Sequence, residues 1–268
     1  MPVKNMVVLF DESGTPAISN DQRTDWFLGV GVAYQQSDEK SIFGKCDADF
    51  GLSNSKPLKN YRIGTSRVIR MANLLAGLPL SIYVSAVNKA NPTLRDVIGK
   101  YEPFGAKARQ ISRKIRKRPI PQIIHSLVLD HCLFNLITGY FEEYGGDAAF
   151  AIFIDDWSIP QNDIDISLEH RAKSLYEKVS LLFSEFKKGT LITIAPLQLM
   201  DRDSDRKRFV DGVASTFNKA YLNPNNKKYS IETVEALKKC KRAQFGDATQ
   251  HLIDIMQRRV MNKAPDRG

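Results

Sequence analysis

Met6-Val7-Val8-Leu9-Phe10-Asp11-Glu12-Ser13-Gly14 is an apolar run that stops abruptly at two acids, a serine and a glycine. A short continuous apolar run bounded by turn-forming residues suits a strand buried on both faces. Trp26 to Tyr34 (WFLGVGVAY) supplies a second strand, with alternation and two glycines suited to a twisted sheet. The connection from Ser13 to Asp25 is polar, short, and rich in Gly, Pro and Asn. It has no room for a crossover helix, so the two strands are expected to form an antiparallel pair.

Outward from this hairpin the chain alternates. A helix is expected at about Thr65 to Ala76, then a strand at Leu80 to Val87, with Pro79 at the boundary. A long apolar-periodic helix from about Gln122 to Tyr144 ends at Gly145-Gly146, and the strand Ala148 to Ile154 (AAFAIFI) follows, ending in Asp155-Asp156. Residues 165 to 188 read as a charged amphipathic helix, and Thr190 to Met200 as a fifth strand that Pro196 either bends or places at an edge. The remainder is helical in character, with helices expected at about Arg206 to Tyr221, Ser230 to Cys240 and Gly246 to Val260. This is an α/β pattern. It predicts one domain over residues 1–268, with a mixed five-stranded sheet flanked by helices, a basic helical insertion at about 100–121 and extra helices at about 206–260.

A chain of 268 residues with 43% hydrophobic content can bury a full core, which excludes disorder as its main state. The formal charge of +9 favours a polyanionic partner, because each Lys or Arg that neutralises a phosphate releases condensed counterions. The run Met6 to Phe10 is too short for a signal sequence or a membrane span, and no other stretch is expected to reach membrane length. Cys46, Cys132 and Cys240 lie far apart with no CxxC spacing, which speaks against a zinc site or a disulfide scaffold and for a reducing cytoplasm. His125 and His131 are six apart, so one helix points them in different directions and a shared metal role is disfavoured.

Two apolar strands, 7 to 10 and 150 to 154, each end in acids, at Asp11 and at Asp155-Asp156. As central strands of one sheet they would hold those carboxylates side by side. Close carboxylates repel, and a divalent cation relieves that repulsion while acting as a Lewis acid and activating water. Mg²⁺ (or Mn²⁺) suits such a site, since it takes one or two carboxylates plus phosphate oxygens. Asp is also common where strands meet turns, so either acid alone is a weak signal. Glu12 and Asp156 follow one residue later, where the pleat turns a side chain to the other sheet face, which makes each the weaker ligand candidate.

The pattern VVLF-Asp11-Glu12-Ser13-Gly14 followed by Phe27-Leu28-Gly29-Val30-Gly31-Val32 resembles the opening of the prokaryotic family called domain of unknown function 3800. Ile152-Phe153-Ile154-Asp155 is similar to that family's later acid-terminated strand. The resemblance implies a ribonuclease-H-like fold, a metal-dependent nuclease activity, and a further Asp on a helix after the fifth strand in a QLADLVAG-like context. It also implies the mobile-element or defence settings in which such families occur. Two placements of that Asp are open. Asp211 in Phe209-Val210-Asp211-Gly212-Val213-Ala214 lies at about the expected distance but lacks the Gln. Asp254 in His251-Leu252-Ile253-Asp254-Ile255-Met256 has His in place of Gln, with Asp247 on the same helical stripe. Ribonuclease-H-like sites also carry a glutamate between the first two strand-borne aspartates. No convincing equivalent stands here, and Glu12 is the nearest substitute.

Arg109, Arg113, Lys114, Arg116, Lys117 and Arg118, with Lys107 before them, form the densest charge run of the chain, closed by Pro119 and Pro121. On a helix, several of these would share a phosphate-tracking face; the plain alternative is a solvated surface. No aromatic residue interleaves the run, so recognition there should be sequence-tolerant. The expectation is therefore a cytoplasmic, Mg²⁺-dependent nuclease with a nucleic-acid partner and Asp11, Asp155, Asp211 and Glu12 as its catalytic set. A non-catalytic binding or complex-forming subunit on the same fold is the alternative. Phe10-Asp11-Glu12-Ser13-Gly14-Thr15 is also similar to the first motif of haloacid-dehalogenase-like phosphatases, but Ser13 stands where that motif has its proton-transferring second Asp.

Overall fold

The protein is described here by a computed structural model covering residues 3–14, 25–50, 65–100, 120–155, 164–186, 190–222, 235, 238, 239 and 242–261. The basic run at 107–118, Asp156, Cys240 and most of the helix expected at 230–240 fall outside these residues.

The hairpin expected from the opening motif is present. Strand β1 (Lys4–Ser13) pairs antiparallel with β2 (Trp26–Gln35), Asp11 facing Val30 and Phe10 facing Gly31. Six consecutive residues of β1, Met6 to Asp11, are buried, because both sheet faces are covered. A 3₁₀ turn at Gln36–Asp38 leads into α1 (Glu39–Phe50), then come α2 (Thr65–Ala76) and β3 (Leu80–Asn88), antiparallel to β2. Helix α3 (Ile120–Tyr144) crosses to β4 (Ala148–Ile154), which runs parallel to β1. Helix α4 (Ile164–Phe186) leads to two short strands, β5 (Ile192–Ile194) and β6 (Gln198–Leu199), and α5 (Asp205–Leu222) follows. Strand β7 (Ala243–Asp247) and helix α6 (Thr249–Met261) close the described chain.

The sheet order is β5-β4-β1-β2-β3-β7, with β6 also on β4. Among the described residues the sheet is mixed and seven-stranded, which corrects the expected five. Part of the difference is the strand at 190–200, which is broken in two: β5 pairs with Ala148 to Phe150 and β6 with Phe153 and Ile154. Pro196 sits in the gap, where it has no N–H to give the ladder. The other addition is β7, parallel to β3 through Ala86↔Asp247. Its pairing occupies residues that were expected to open a helix at Gly246, so α6 begins only at Thr249.

Alternation along β1 divides the core. Val8 and Phe10 face α3, α4 and α6, while Val7 and Leu9 face α1, α2 and α5, giving three layers with the sheet in the middle. Two glycines of β2 allow α3 to lie close. A Cβ at Gly29 would meet Val128 and, at 2.7 Å, Phe10; one at Gly31 would meet Cys132 Sγ at 2.8 Å. Contrary to expectation, α3 reaches membrane-span length and apolarity over Ile123–Tyr144 (mean hydropathy 1.2), but 67% of that window is buried inside the protein. It is a core helix, tied to α4 where Arg171 donates to Asp130 (3.1 Å) and Ser126 (2.6 Å).

Candidate metal centre

Strand register creates the site. Parallel β1 and β4 pair Phe10 with Ile154, so the next residue of each, Asp11 and Asp155, emerges at the same end of neighbouring strands. Neighbouring strands run ~4.8 Å apart, close enough for two carboxylates to share a cation. The pleat places Asp11 on the Val7 and Leu9 side, under α5. Gly14, with φ of +94°, turns the chain immediately afterwards, a conformation that favours glycine.

Helix α5 brings the third carboxylate. Ser204 caps it, its Oγ accepting from the Lys207 N–H at 3.2 Å and its carbonyl from Arg208 N at 3.1 Å. Phe209, Val210, Val213 and Phe217 bury the inner face in the core, which fixes the helix rotation and turns Lys207 and Asp211, four residues apart, toward Asp11. Arg206 locks the helix start. Its guanidinium donates to both Glu39 oxygens (2.9 and 3.1 Å) and lies 4.2 Å over the Phe153 ring. Tyr34 O–H donates to the same Glu39 at 3.2 Å.

Asp11, Asp155 and Asp211 converge on one ammonium. Lys207 Nζ lies 3.1 Å from Asp11 Oδ1 and 3.0 Å from Asp211 Oδ1, and donates to Asp155 Oδ2. Asp11 is 1% exposed, Lys207 7% and Asp211 6%, so water screens these charges poorly. Burial pushes the Asp11 carboxyl well above the ordinary range, helped by the charges of Asp211 and Glu12 and opposed by Lys207. Burial works to lower the Lys207 ammonium, but Asp11, Asp155 and Asp211 together outweigh it and hold it above its usual value. Lys207 is therefore charged throughout the physiological range.

Glu12 points to the other sheet face, as the pleat requires, where its Oε2 is 3.2 Å from His125 Nε2 on the first turns of α3. His125 is wedged between Phe10 and Phe27, ring centroids 6.2 and 6.0 Å away. Among the described residues, buried Asp11 Oδ2 and His125 Nδ1 have no hydrogen-bond partner, and the 3.2 Å Glu12–His125 contact is an ion-pair approach without hydrogen-bond geometry. Asp11, Glu12 and Asp155 each offer an oxygen within 4.8 Å of the others, and among the described residues this is the one cluster of three metal-ligating side chains so close. No family model matches this chain, and no curated protein matches it. What the site can do must be read from its own atoms.

The alternates lie elsewhere. Asp247 is on β7, three strands from β1 and hence ~14 Å away laterally, and its Oδ1 accepts from Thr249 N at the start of α6. Asp254 accepts from Gln250 Nε2 at 2.9 Å on the exposed side of α6. His131 meets Ser85 Oγ through Nδ1 at 2.9 Å, far along α3 from His125. Asp156, Arg109, Arg113, Lys114, Arg116, Lys117 and Arg118 lie outside the described residues.

Reasoning from sequence missed Lys207, His125 and the Glu39–Arg206 clamp. The Lys207-x₃-Asp211 spacing on one helix face was a visible signal. What Lys207 meets was not, since its partners are 196 and 52 residues away.

Proposed function

We propose that the protein is a divalent-metal-dependent phosphodiesterase acting on nucleic acid, a nuclease built on a ribonuclease-H-like fold. The observation that carries the proposal is the convergence of Asp11, Asp155 and Asp211, supplied by two adjacent parallel strands and one helix. The antiparallel opening β1-β2-β3 followed by parallel β4 and β5 supports the fold reading, and the DESG-type strand end supports the resemblance.

The donor set fits a hard cation. All the candidate ligands are carboxylates, buried Asp11 Oδ2 has no hydrogen bond among the described residues, and a positive charge already stands among the three aspartates. Asp11, Asp155 and Asp211 would hold Mg²⁺ or Mn²⁺, with Glu12 next to them. Such an ion supplies Lewis-acid polarisation of a phosphoryl oxygen and a more acidic water. The chain itself contributes orientation. Arg206 and Glu39 fix the start of α5, Ser204 caps it, and the core contacts of Phe209 and Val213 hold Asp211 toward the strand ends. The net charge of +9 favours a polyanionic substrate.

One observation favours a second reading, a non-catalytic binding subunit: Lys207 already places a positive charge among the three aspartates, donating to Asp11 and Asp155 and lying 3.0 Å from Asp211. Cleavage separates the two. With Mg²⁺ or Mn²⁺ present, single- and double-stranded DNA and RNA are incubated with wild type, Asp11→Asn and Asp155→Asn. The nuclease reading expects cleavage by wild type and a loss of at least ~100-fold in both variants. Cleavage unchanged in the variants, or absent throughout while binding persists, supports the second reading.

A further inference from the structure

The Lys207 ammonium occupies the position from which Asp11, Asp155 and Asp211 are all within reach. An ammonium has three N–H donors and no acceptor; this one donates to Asp11 and Asp155 and pairs with Asp211 at 3.0 Å. The point that touches all three acids is also the point from which a single metal ion would reach all three. Two cations cannot stand there together, and the surroundings are too buried for solvent to screen one from the other. The ammonium is on a flexible stem anchored in the first turn of α5, whereas Asp11 and Asp155 are fixed by the sheet register. Asp211 is held toward the strand ends by the core contacts of α5, so the Lys207 ammonium, on the longest and most flexible of the four side chains, is the group that moves most readily.

We infer that Lys207 is a built-in competitor for the metal: it holds the carboxylates together when no divalent ion is bound and must withdraw for one to enter. This rests on the metal-site reading above. The consequences are physical. An ion of charge two attracts the acids more strongly than an ammonium of charge one, but it must first displace the three Lys207 ion pairs. Metal affinity is thereby set lower than the carboxylates alone would give, and the withdrawn ammonium becomes available to another anion at the mouth of the site.

Two measurements test this. Mn²⁺ is titrated into wild type and Lys207→Met by calorimetry, without substrate. The expected result is affinity roughly tenfold or more tighter in Lys207→Met, since a competitor worth about 1.4 kcal/mol changes a dissociation constant tenfold. In parallel, wild-type protein is treated with an acetylating reagent with and without Mn²⁺, and modification of Lys207 is read by peptide mass spectrometry. Lys207 is expected to be protected in the metal-free protein and to become reactive when Mn²⁺ is saturating. The labelling needs no substitution, so it decides the matter even where Lys207→Met does not fold. If Mn²⁺ binds wild type and Lys207→Met alike, or if Lys207 stays protected in the Mn²⁺-loaded protein, the competitor role is overturned and the metal site stands. If Mn²⁺ binds neither chain, the metal site falls and takes this inference with it.

Discussion

Replacing Asp11 with Asn should stabilise the protein while abolishing its proposed chemistry. The carboxyl of Asp11 is 1% exposed and its charged form is disfavoured, first by burial and then by Asp211, more than Lys207 favours it. Its folded-state pKa thus lies above the ordinary 3.8, so the folded protein holds this proton more tightly than the unfolded chain. The stability contributed by the protonated acid is complete below 3.8 and is lost as pH rises through the folded-state value, above which the ionised group is a net burden. Asn keeps the side-chain shape and the oxygen facing Lys207, so no cavity forms. Each pKa unit removed is worth ~1.4 kcal/mol. A domain of this size shifts by ~2–4 °C per kcal/mol, hence about 3–6 °C per unit. Thermal melts in a metal chelator from pH 4 to 8 provide the assay. Asp11→Asn should melt above wild type at pH 7, and the gap should close toward pH 4. A variant that melts below wild type at pH 7 would show that the Lys207 ion pair outweighs the burial and repulsion, and the electrostatic account of the site would be wrong.

Gly29→Ala places a methyl against Phe10 and Val128 and should cost ~1–3 kcal/mol in urea unfolding, with the m-value unchanged. Asp247→Ala removes the acceptor for Thr249 N and should cost ~1 kcal/mol without altering metal binding, whereas Asp211→Asn should weaken metal binding at little cost in stability. Glu39→Gln, in a half-buried pair with Arg206, should cost at most ~1 kcal/mol yet lower kcat by about tenfold, because a small drift of α5 misplaces Asp211.

Much of this arrangement was written locally. The apolar run of β1, the glycine-bearing β2 and the AAFAIFI strand each carry their own burial signal, and parallel pairing of β1 with β4 then forces Asp11 and Asp155 together. Strand β7 carried no such signal. Ala-Gln-Phe-Gly-Asp is short and largely exposed, and it is a strand only because the β3 edge offers it a ladder. Helix α1, with Gly44 and three acids in its turns, has little amphipathic pattern and is held by Ile42 and Cys46 against the sheet. Distance from the fifth strand favoured Asp211 over Asp254, but both sit in similar helical contexts, so the sequence left Asp254 open as an alternate. Sheet order decides, placing α5 over β1 and α6 beyond β3. The spacing of Lys207 to Asp211 was visible, but the role of Lys207 was not, because it exists only once three distant segments meet.

The measurement closest to the central claim is the anomalous scattering of a crystal of the wild-type protein soaked in Mn²⁺. The account predicts a peak bonded to carboxylate oxygens of Asp11 and Asp155 at about 2.0–2.3 Å, with the Lys207 ammonium moved away. Saturating Mn²⁺ with no peak there, and Lys207 still seated among Asp11, Asp155 and Asp211, would contradict it.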